Sequence, residues 1–498
     1  MNGELFTQLP GYLEANIRES NPWWRGERIA GLQKRIRSSY PQVMRSLKNG
    51  LAPVTVLRGP RQVGKTTLLN QIIQSLLDEG VPPLSILRVQ FDDLPSLRPV
   101  AKREPILQIA RWFSETQLGA SLNAALESGT QVFMFFDEVQ NLPDWAPQIK
   151  YLVDMNNGLR VLVTGSSALR IEAGRDSLAG RITTLEMGPL LLREIAEWRT
   201  GETVKSLLPN GLASMKEKTF WEEVRANGQK LREVRDLAFT AFSERGAYPV
   251  AQNNPDITWE ELADFLNETV IKRAIQHDLR MGSRGQKRDE HLLEEVFRIV
   301  CRYAGQAPKP ATYVNEIQQA MDANIGQQRV NAYLKFLDGT LLMRLIEPLE
   351  LRLKKKKGYP KLCLCDHALR AAWLQEQIPL TPAALLASPH LQDLAGRIAE
   401  STAGYFFKSI FALDVSHFPE RPKEPEVDFV LTIGEQRIPT EIKYRRRIDH
   451  GDSAGLRSFL EHTHYNAPFG LLVTLEDGYQ SDDPRIVSMP LSSLMLLR

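Results

Sequence analysis

Apolar residues along the first third of the chain come in short, unbroken runs separated by stretches of helical spacing. Val54-Thr55-Val56-Leu57 has the length of a buried strand. A glycine-containing loop follows it, and then Thr67-Leu68-Leu69-Asn70-Gln71-Ile72-Ile73 carries its apolar residues at helical spacing. Phe133-Met134-Phe135-Phe136 and Arg160-Val161-Leu162-Val163-Thr164 are further strand-length runs, and another strand is expected to end at Phe91-Asp92-Asp93. Runs apolar at nearly every position suit a parallel sheet covered on both faces by helices. The predicted fold class is therefore α/β, with a three-layer domain over residues 51–190 preceded by a helical lead-in over 1–50.

Beyond Gly188-Pro189-Leu190 the pattern becomes helical and rich in Glu, Arg, Leu and Ala. Residues 191–275 read as a helical lid with a charged insertion around Trp221 to Phe239. Residues 276–375 read as a winged-helix unit: helices from about His291 to Tyr303, from Tyr313 and from Gln327, then two β-like runs flanking Leu353-Lys354-Lys355-Lys356-Lys357-Gly358. Residues 376–498 return to alternation as a last α/β domain.

The loop after the first strand, Gly59-Pro60-Arg61-Gln62-Val63-Gly64-Lys65-Thr66, is a complete G-x-x-x-x-G-K-[ST] phosphate loop in the strand–loop–helix setting that gives the motif its meaning. Its glycines let backbone N–H groups turn toward phosphate oxygens, and the helix that begins with Lys65, Thr66 and Thr67 adds its positive end. Lys65 is expected to reach the β- and γ-phosphates of ATP, and the Thr66 hydroxyl to ligate Mg²⁺. Asp137 is expected to hold the metal, and Glu138 to polarise the attacking water. A hydroxyl at the tip of the next strand, Ser166 with Thr164 and Ser167 as neighbours of the same kind, would orient that water or sense the γ-phosphate. The adjacent Trp23 and Trp24 have two readings, a cover for adenine or core packing of the first helix.

A second constellation lies in the last domain. Glu400 falls on a helix, Asp428 on the strand Glu426–Leu431, and Glu441 and Lys443 on one face of the strand that follows the Gly434-Glu435 turn. Carboxylates beside a lysine can hold Mg²⁺ and activate water for phosphodiester hydrolysis. Arg445, Arg446 and Arg447 follow at once, and with Lys354, Lys355, Lys356 and Lys357 they are the candidate contacts to a DNA backbone.

Composition narrows the rest. Of the 498 residues 43% are hydrophobic and 24% charged, as in ordinary globular proteins, and no apolar stretch reaches the length of a membrane span. The expected location is the cytoplasm. Cys301, Cys363 and Cys365 are too few for a disulfide framework and fit a reducing compartment. A net charge of +2 means that any affinity for nucleic acid must come from local patches.

Taken together, Gly59–Thr66, Asp137-Glu138, Thr164-Gly165-Ser166-Ser167, Leu178-Ala179-Gly180-Arg181 and Gly188-Pro189-Leu190 resemble a group of bacterial and archaeal AAA-type P-loop ATPases (AAA+/ASCE) fused to a C-terminal domain of unknown function with a restriction-endonuclease-like fold. The resemblance covers most of the chain except the insertion near 200–240, and Gly246-Ala247-Tyr248-Pro249 departs from the group's usual Gly-Gly-Tyr-Pro. It implies that Arg181, or alternatively Arg175, is an arginine finger or a sensor, which in trans would require a homo-oligomer, a hexamer among the options. Glu400, Asp428, Glu441 and Lys443 similarly match the PD-(D/E)xK nuclease pattern, with Pro425 displaced from its usual place. Three functions follow as expectations: an ATP-hydrolysing motor on branched, single- or double-stranded DNA in repair, recombination or defence, by branch migration or translocation; an ATP-gated signalling switch with a protein partner; and an ATP-licensed, Mg²⁺-dependent nuclease.

Overall fold

The computed structural model describes residues 9–91, 104–142, 144–165, 177–208, 211–278, 289–321, 325–350, 358–420 and 425–498. The chain divides into two compact units, Met1–Met187 with Gln276–Gln286, and Gly188–Ile275 with Lys287–Arg498.

The first unit is a five-stranded sheet of β1 (Val54–Arg58), β2 (Ile86–Gln90), β3 (Phe133–Asp137), β4 (Arg160–Gly165) and β5 (Ile182–Glu186). Its order is β2-β3-β4-β1-β5, and every pairing is parallel. β1 and β3 are buried at all positions, the property that made them legible as apolar runs. Leu87, Met134, Phe136, Val161 and Val163 share one core with Ile106, Ile109, Trp145 and Ile149 from the flanking helices. Trp24 packs against this core and Trp23 is buried beside it at the start of β2. The indoles of Trp23 and Trp24 both donate to the Ile86 carbonyl, at 3.1 and 2.9 Å, and Trp24 stacks 5.9 Å from Phe113. Ile86 opens β2, the edge strand three places from β1, so the adenine-cover reading is overturned.

The second unit holds three parts. Helices Leu192–Thr200, Lys218–Lys230 and Arg232–Arg245 come first. Helices Glu290–Arg302, Pro310–Met321 and Gln327–Gly339 then lead into an antiparallel pair, β6 (Met343–Ile346) and β7 (Lys361–Leu364). The order helix–helix–helix–strand–strand is the one expected for residues 276–375; Lys354 to Lys357 lie outside the described residues. A five-stranded mixed sheet completes the unit, ordered β12-β11-β10-β9-β8, from β8 (Asp414–Phe418), β9 (Val427–Ile433), β10 (Gln436–Lys443), β11 (Gly470–Thr474) and β12 (Ile486–Pro490).

The helices expected to form a lid pack on this C-terminal sheet. Trp221, Phe239 and Phe242 lie in one core with Phe407, Leu431, Leu471 and Val487. A Cβ on Gly228 would meet the Ser493 hydroxyl oxygen at 2.1 Å, so the helix lies directly against the chain's last turn. Arg235, buried, grips both Asp477 oxygens at 3.1 and 2.7 Å and the Ser493 hydroxyl at 2.8 Å. Burial of their apolar faces therefore assigns residues 191–245 to the second unit, which sequence order alone did not reveal.

Candidate functional site

The phosphate loop leaves the C-terminal end of β1 under tight constraint. A Cβ on Gly59 would sit 2.1 Å from the Met187 carbonyl oxygen, and Gly64 takes a φ of +96°. Both positions need glycine, for closeness in the first case and for backbone conformation in the second. Gln62 also has positive φ, at 63°. The helix Lys65–Asp78 starts directly from Gly64, so its free N–H groups and the loop's amides face the same space. Lys65 is buried, and its ammonium donates to the carbonyls of Gly59 (3.1 Å) and Pro60 (2.9 Å) while standing 3.6 Å from Glu138 Oε1.

Asp137 ends β3 and is fully buried. Its Oδ2 accepts from the Thr66 hydroxyl at 2.8 Å, and its Oδ1 accepts from the Thr164 hydroxyl. Burial pushes its pKa up, against the pull of the Thr164 and Thr66 hydrogen bonds. Arg88 Nη2 on β2 lies 3.8 Å away. Glu138, at φ 53°, turns out of the strand; its carboxylate accepts from the Gln140 side-chain amide, and its backbone N–H donates to Thr164 Oγ1 at 3.1 Å. The structure thus brings Lys65, Thr66, Asp137 and Glu138 together, although β3 and β1 are not neighbours: β4 runs between them. Thr164, the β4 hydroxyl under Asp137, ties the two acidic residues into one geometry. Ser166, Ser167 and Arg175 lie outside the described residues. The donor set fits Mg²⁺, since a hydroxyl and a buried carboxylate already converge within hydrogen-bond distance beside the phosphate cradle.

Arg181 is not brought to this site. It precedes β5, with its carbonyl accepting from Val54 N–H, so it stands at the N-terminal edge of the sheet while the phosphate loop leaves the C-terminal edge. Five strand residues separate those edges, about 17 Å. Arg181 pairs there with Asp154. Arg181 therefore stands apart from the phosphate loop of its own subunit.

In the second unit the strand register sets Thr440 against Phe429, and so places Glu441 beside Asp428. Glu400 arrives from the helix Gln392–Lys408. These three, with Lys443, line a cavity of about 660 Å³ that also includes Arg397, Glu426 and Asp452. The sequence reading missed one member. Lys361, the first residue of β7, is buried, and its ammonium lies 2.9 Å from Asp428 Oδ1, 3.3 Å from Glu400 Oε2, 3.6 Å from Glu426 Oε1 and 5.0 Å from the centre of the Phe429 ring. Nothing in Pro360-Lys361-Leu362-Cys363 signals this, because carboxylates 39 and 67 residues away supply the contacts. Asp428 Oδ2 accepts from the Ile442 N–H at 2.9 Å, and Lys443 donates to Glu441 Oε1 at 2.5 Å. Burial, then the charge of Asp428, holds the Glu400 and Glu441 carboxyls well above the usual range. Burial alone would raise Asp428 too, but Lys361 and the Ile442 amide hold it low. Arg445, Arg446 and Arg447 are exposed after β10; Arg445 pairs with Asp452, and Arg446 lies 3.3 Å from Glu476.

A parallel sheet with the phosphate loop after one strand and the acidic pair after another, separated by a third, defines an AAA-type P-loop ATPase domain. The sequence profile described as "AAA domain" matches residues 52–196. Two profiles described as domains of unknown function match residues 238–378 (DUF8612) and 398–494 (DUF4143). An uncharacterized protein of Mycobacterium tuberculosis is 29% identical over 189 residues, 38% of this chain and 35% of that one. The chain thus spans about a third of the length of that relative. An uncharacterized protein of Haemophilus influenzae is 19% identical over 325 residues, 64% of this chain and 68% of the other. Among solved structures, a Walker-type ATPase of Pyrococcus abyssi aligns over 69% of this chain and 99% of its own, with a TM-score of 0.39 and 14% identity. No helix among the described residues is long and apolar enough to cross a membrane.

Proposed function

We propose that this AAA-type ATPase is a motor that couples ATP hydrolysis to work on DNA, in repair, recombination or defence. The observation that carries the hydrolytic half is the convergence of the Thr66 and Thr164 hydroxyls on the Asp137 carboxylate beside the Lys65 cradle. Mg²⁺, when bound, supplies charge neutralisation for the transferring phosphoryl group. Lys65 exchanges its two carbonyl partners for phosphate oxygens, a charge-assisted contact stronger than the ones it gives up. Glu138 rests against Lys65 and Gln140, so nucleotide entry that draws Lys65 away leaves its carboxylate to take a proton from water. Thr164 holds the backbone of Glu138 while this happens.

Support for DNA as the partner is the exposed run Arg445–Arg447 together with the basic stretch Lys354–Lys357. Arg181 contacts phosphate only if a second copy presents it, so the reading includes assembly into a homo-oligomer. A second reading, an ATP-gated switch with a protein partner, draws on the pairing of Arg445 with Asp452 and of Arg446 with Glu476, which neutralises part of the basic run.

The test is the steady-state ATPase rate with and without duplex, single-stranded, forked and four-way-junction DNA, with Glu138→Gln as the blank. Stimulation by one DNA form supports the motor and names its substrate. A rate unaffected by every form refutes it in favour of the switch. Normal turnover by Glu138→Gln refutes the assignment of the base.

A further inference from the structure

The carboxylates that the sequence resemblance assigns to a divalent cation line a cavity, but a lysine already stands among them. Lys361 reaches them from β7, a strand foreign to the sheet that carries Asp428 and Glu441. Its ammonium touches Asp428 and Glu400 and approaches Glu426, and it lies over the Phe429 ring. The remaining acid of the set, Glu441, is held by Lys443. Asp428 has a donor on each oxygen, Lys361 on one and the Ile442 amide on the other. Among the described residues, no group of three or more His, Cys, Asp or Glu side chains is gathered closely enough to hold a metal ion.

Lys361 is also fixed in place. Leu362, Cys363 and Leu364 follow it, all buried, and Leu362 exchanges backbone hydrogen bonds with the 305–306 turn: Gly305 N–H donates to its carbonyl at 2.7 Å and its own N–H donates to Gln306 O at 2.9 Å. The Leu364 N–H donates to the Ser401 hydroxyl at 2.9 Å, on the helix that bears Glu400. These bonds fix the backbone that carries the lysine, and its side chain is buried among the carboxylates. A divalent ion placed between Asp428 and Glu400 would stand within a few ångströms of this ammonium, with like charges facing each other at a buried site.

We propose that Lys361 is the built-in cation of the C-terminal site, so that Glu400 and Asp428 gather around an ammonium group and not around a divalent metal. The pocket keeps the carboxylates and Lys443 that the sequence pattern singled out, while Lys361 supplies a cation from within the chain itself. Metal-dependent cutting from this pocket is therefore not expected of the native chain. This holds or fails separately from the ATPase reading, which concerns the first unit.

The experiment is Mn²⁺ titration of the nucleotide-free full chain, followed by electron paramagnetic resonance, for the native protein and for Asp428→Asn, Lys361→Met and Lys361→Met/Asp428→Asn. The native chain and Asp428→Asn are expected to bind the same amount of Mn²⁺. Lys361→Met, which keeps the length of the side chain and removes its charge, is expected to gain one site at least tenfold tighter than any in the native chain, and the double variant to lose it. A native Mn²⁺ site that disappears in Asp428→Asn overturns the proposal. So does a Lys361→Met protein that retains its circular dichroism and gains no site. If Lys361→Met does not fold, the native and Asp428→Asn comparison decides alone, because in Asp428→Asn the lysine keeps Glu400 and Glu426 as partners.

Discussion

Gly59→Ala isolates what the phosphate loop needs from its backbone. The added methyl would lie 2.1 Å from the Met187 carbonyl oxygen, and carbon and oxygen approach no closer than about 3.3 Å even in favourable contacts. The obstacle is backbone, held by the Met187 N–H donating to Arg58 O at 2.9 Å, so no side-chain rotation relieves it. The loop must move by about 1 Å. Displacement of that size costs on the order of 100-fold when a cradle has to match its ligand, and overpacking costs roughly 1–3 kcal/mol of stability. The expected result is nucleotide affinity down by about two orders of magnitude, measured by titration with a fluorescent ATP analogue. The melting transition that includes the first unit should fall by roughly 2–10 °C. Gly11→Ala is the control, since no atom lies within 4 Å of its would-be Cβ, and it should change neither quantity. Native affinity in Gly59→Ala would refute the claim that close approach to Met187 sets the loop.

Two other predictions rest on buried polar atoms. Thr164→Val keeps the shape of the side chain but strips a donor from Asp137 and an acceptor from the Glu138 N–H. It should destabilise by about 1–3 kcal/mol and lower kcat far more than it changes nucleotide affinity; an unchanged kcat would remove Thr164 from the site. His417 is buried with Nε2 donating to the Tyr359 carbonyl at 2.8 Å and no partner for Nδ1 among the described residues, and burial pushes its pKa down to about 4. The unfolded chain takes up this proton below about 6.5 and the folded chain only near 4, so the stabilising contribution is complete above pH 6.5 and is lost as pH falls to 4. The loss amounts to about 3 kcal/mol, and His417→Gln should flatten that part of a denaturant-derived stability profile; an identical slope would refute it.

The sequence by itself placed β1, β3 and β4 of the ATPase domain, the end of β2 and the acidic pair, but not β5. β1 and β3 are covered on both faces, and such strands are written as unbroken apolar runs; the phosphate loop needs particular residues at adjacent positions, so its chemistry is local. Asp428, Glu441 and Lys443 were legible for the same reason, because a two-residue period and a short hairpin bring them to one face. Tertiary structure decided the rest. The Trp23-Trp24 pair could serve base or core equally until the Ile86 carbonyl claimed both indoles. Helices with ordinary amphipathic spacing gave no sign of which sheet would cover them, and burial of Trp221 and Phe242 with Leu431 and Val487 settled it. The motif Leu178-Ala179-Gly180-Arg181 offered Arg181 as a finger or sensor, but strand direction put it at the edge away from the phosphate loop. Lys361 is the clearest case: a lysine at the start of a strand is ordinarily solvated, and only the meeting of β7 with a helix and a hairpin many residues away makes it the counter-ion of a buried acidic cluster. Local chemistry follows from local sequence, whereas a charge balance assembled from distant segments exists only once the chain has packed.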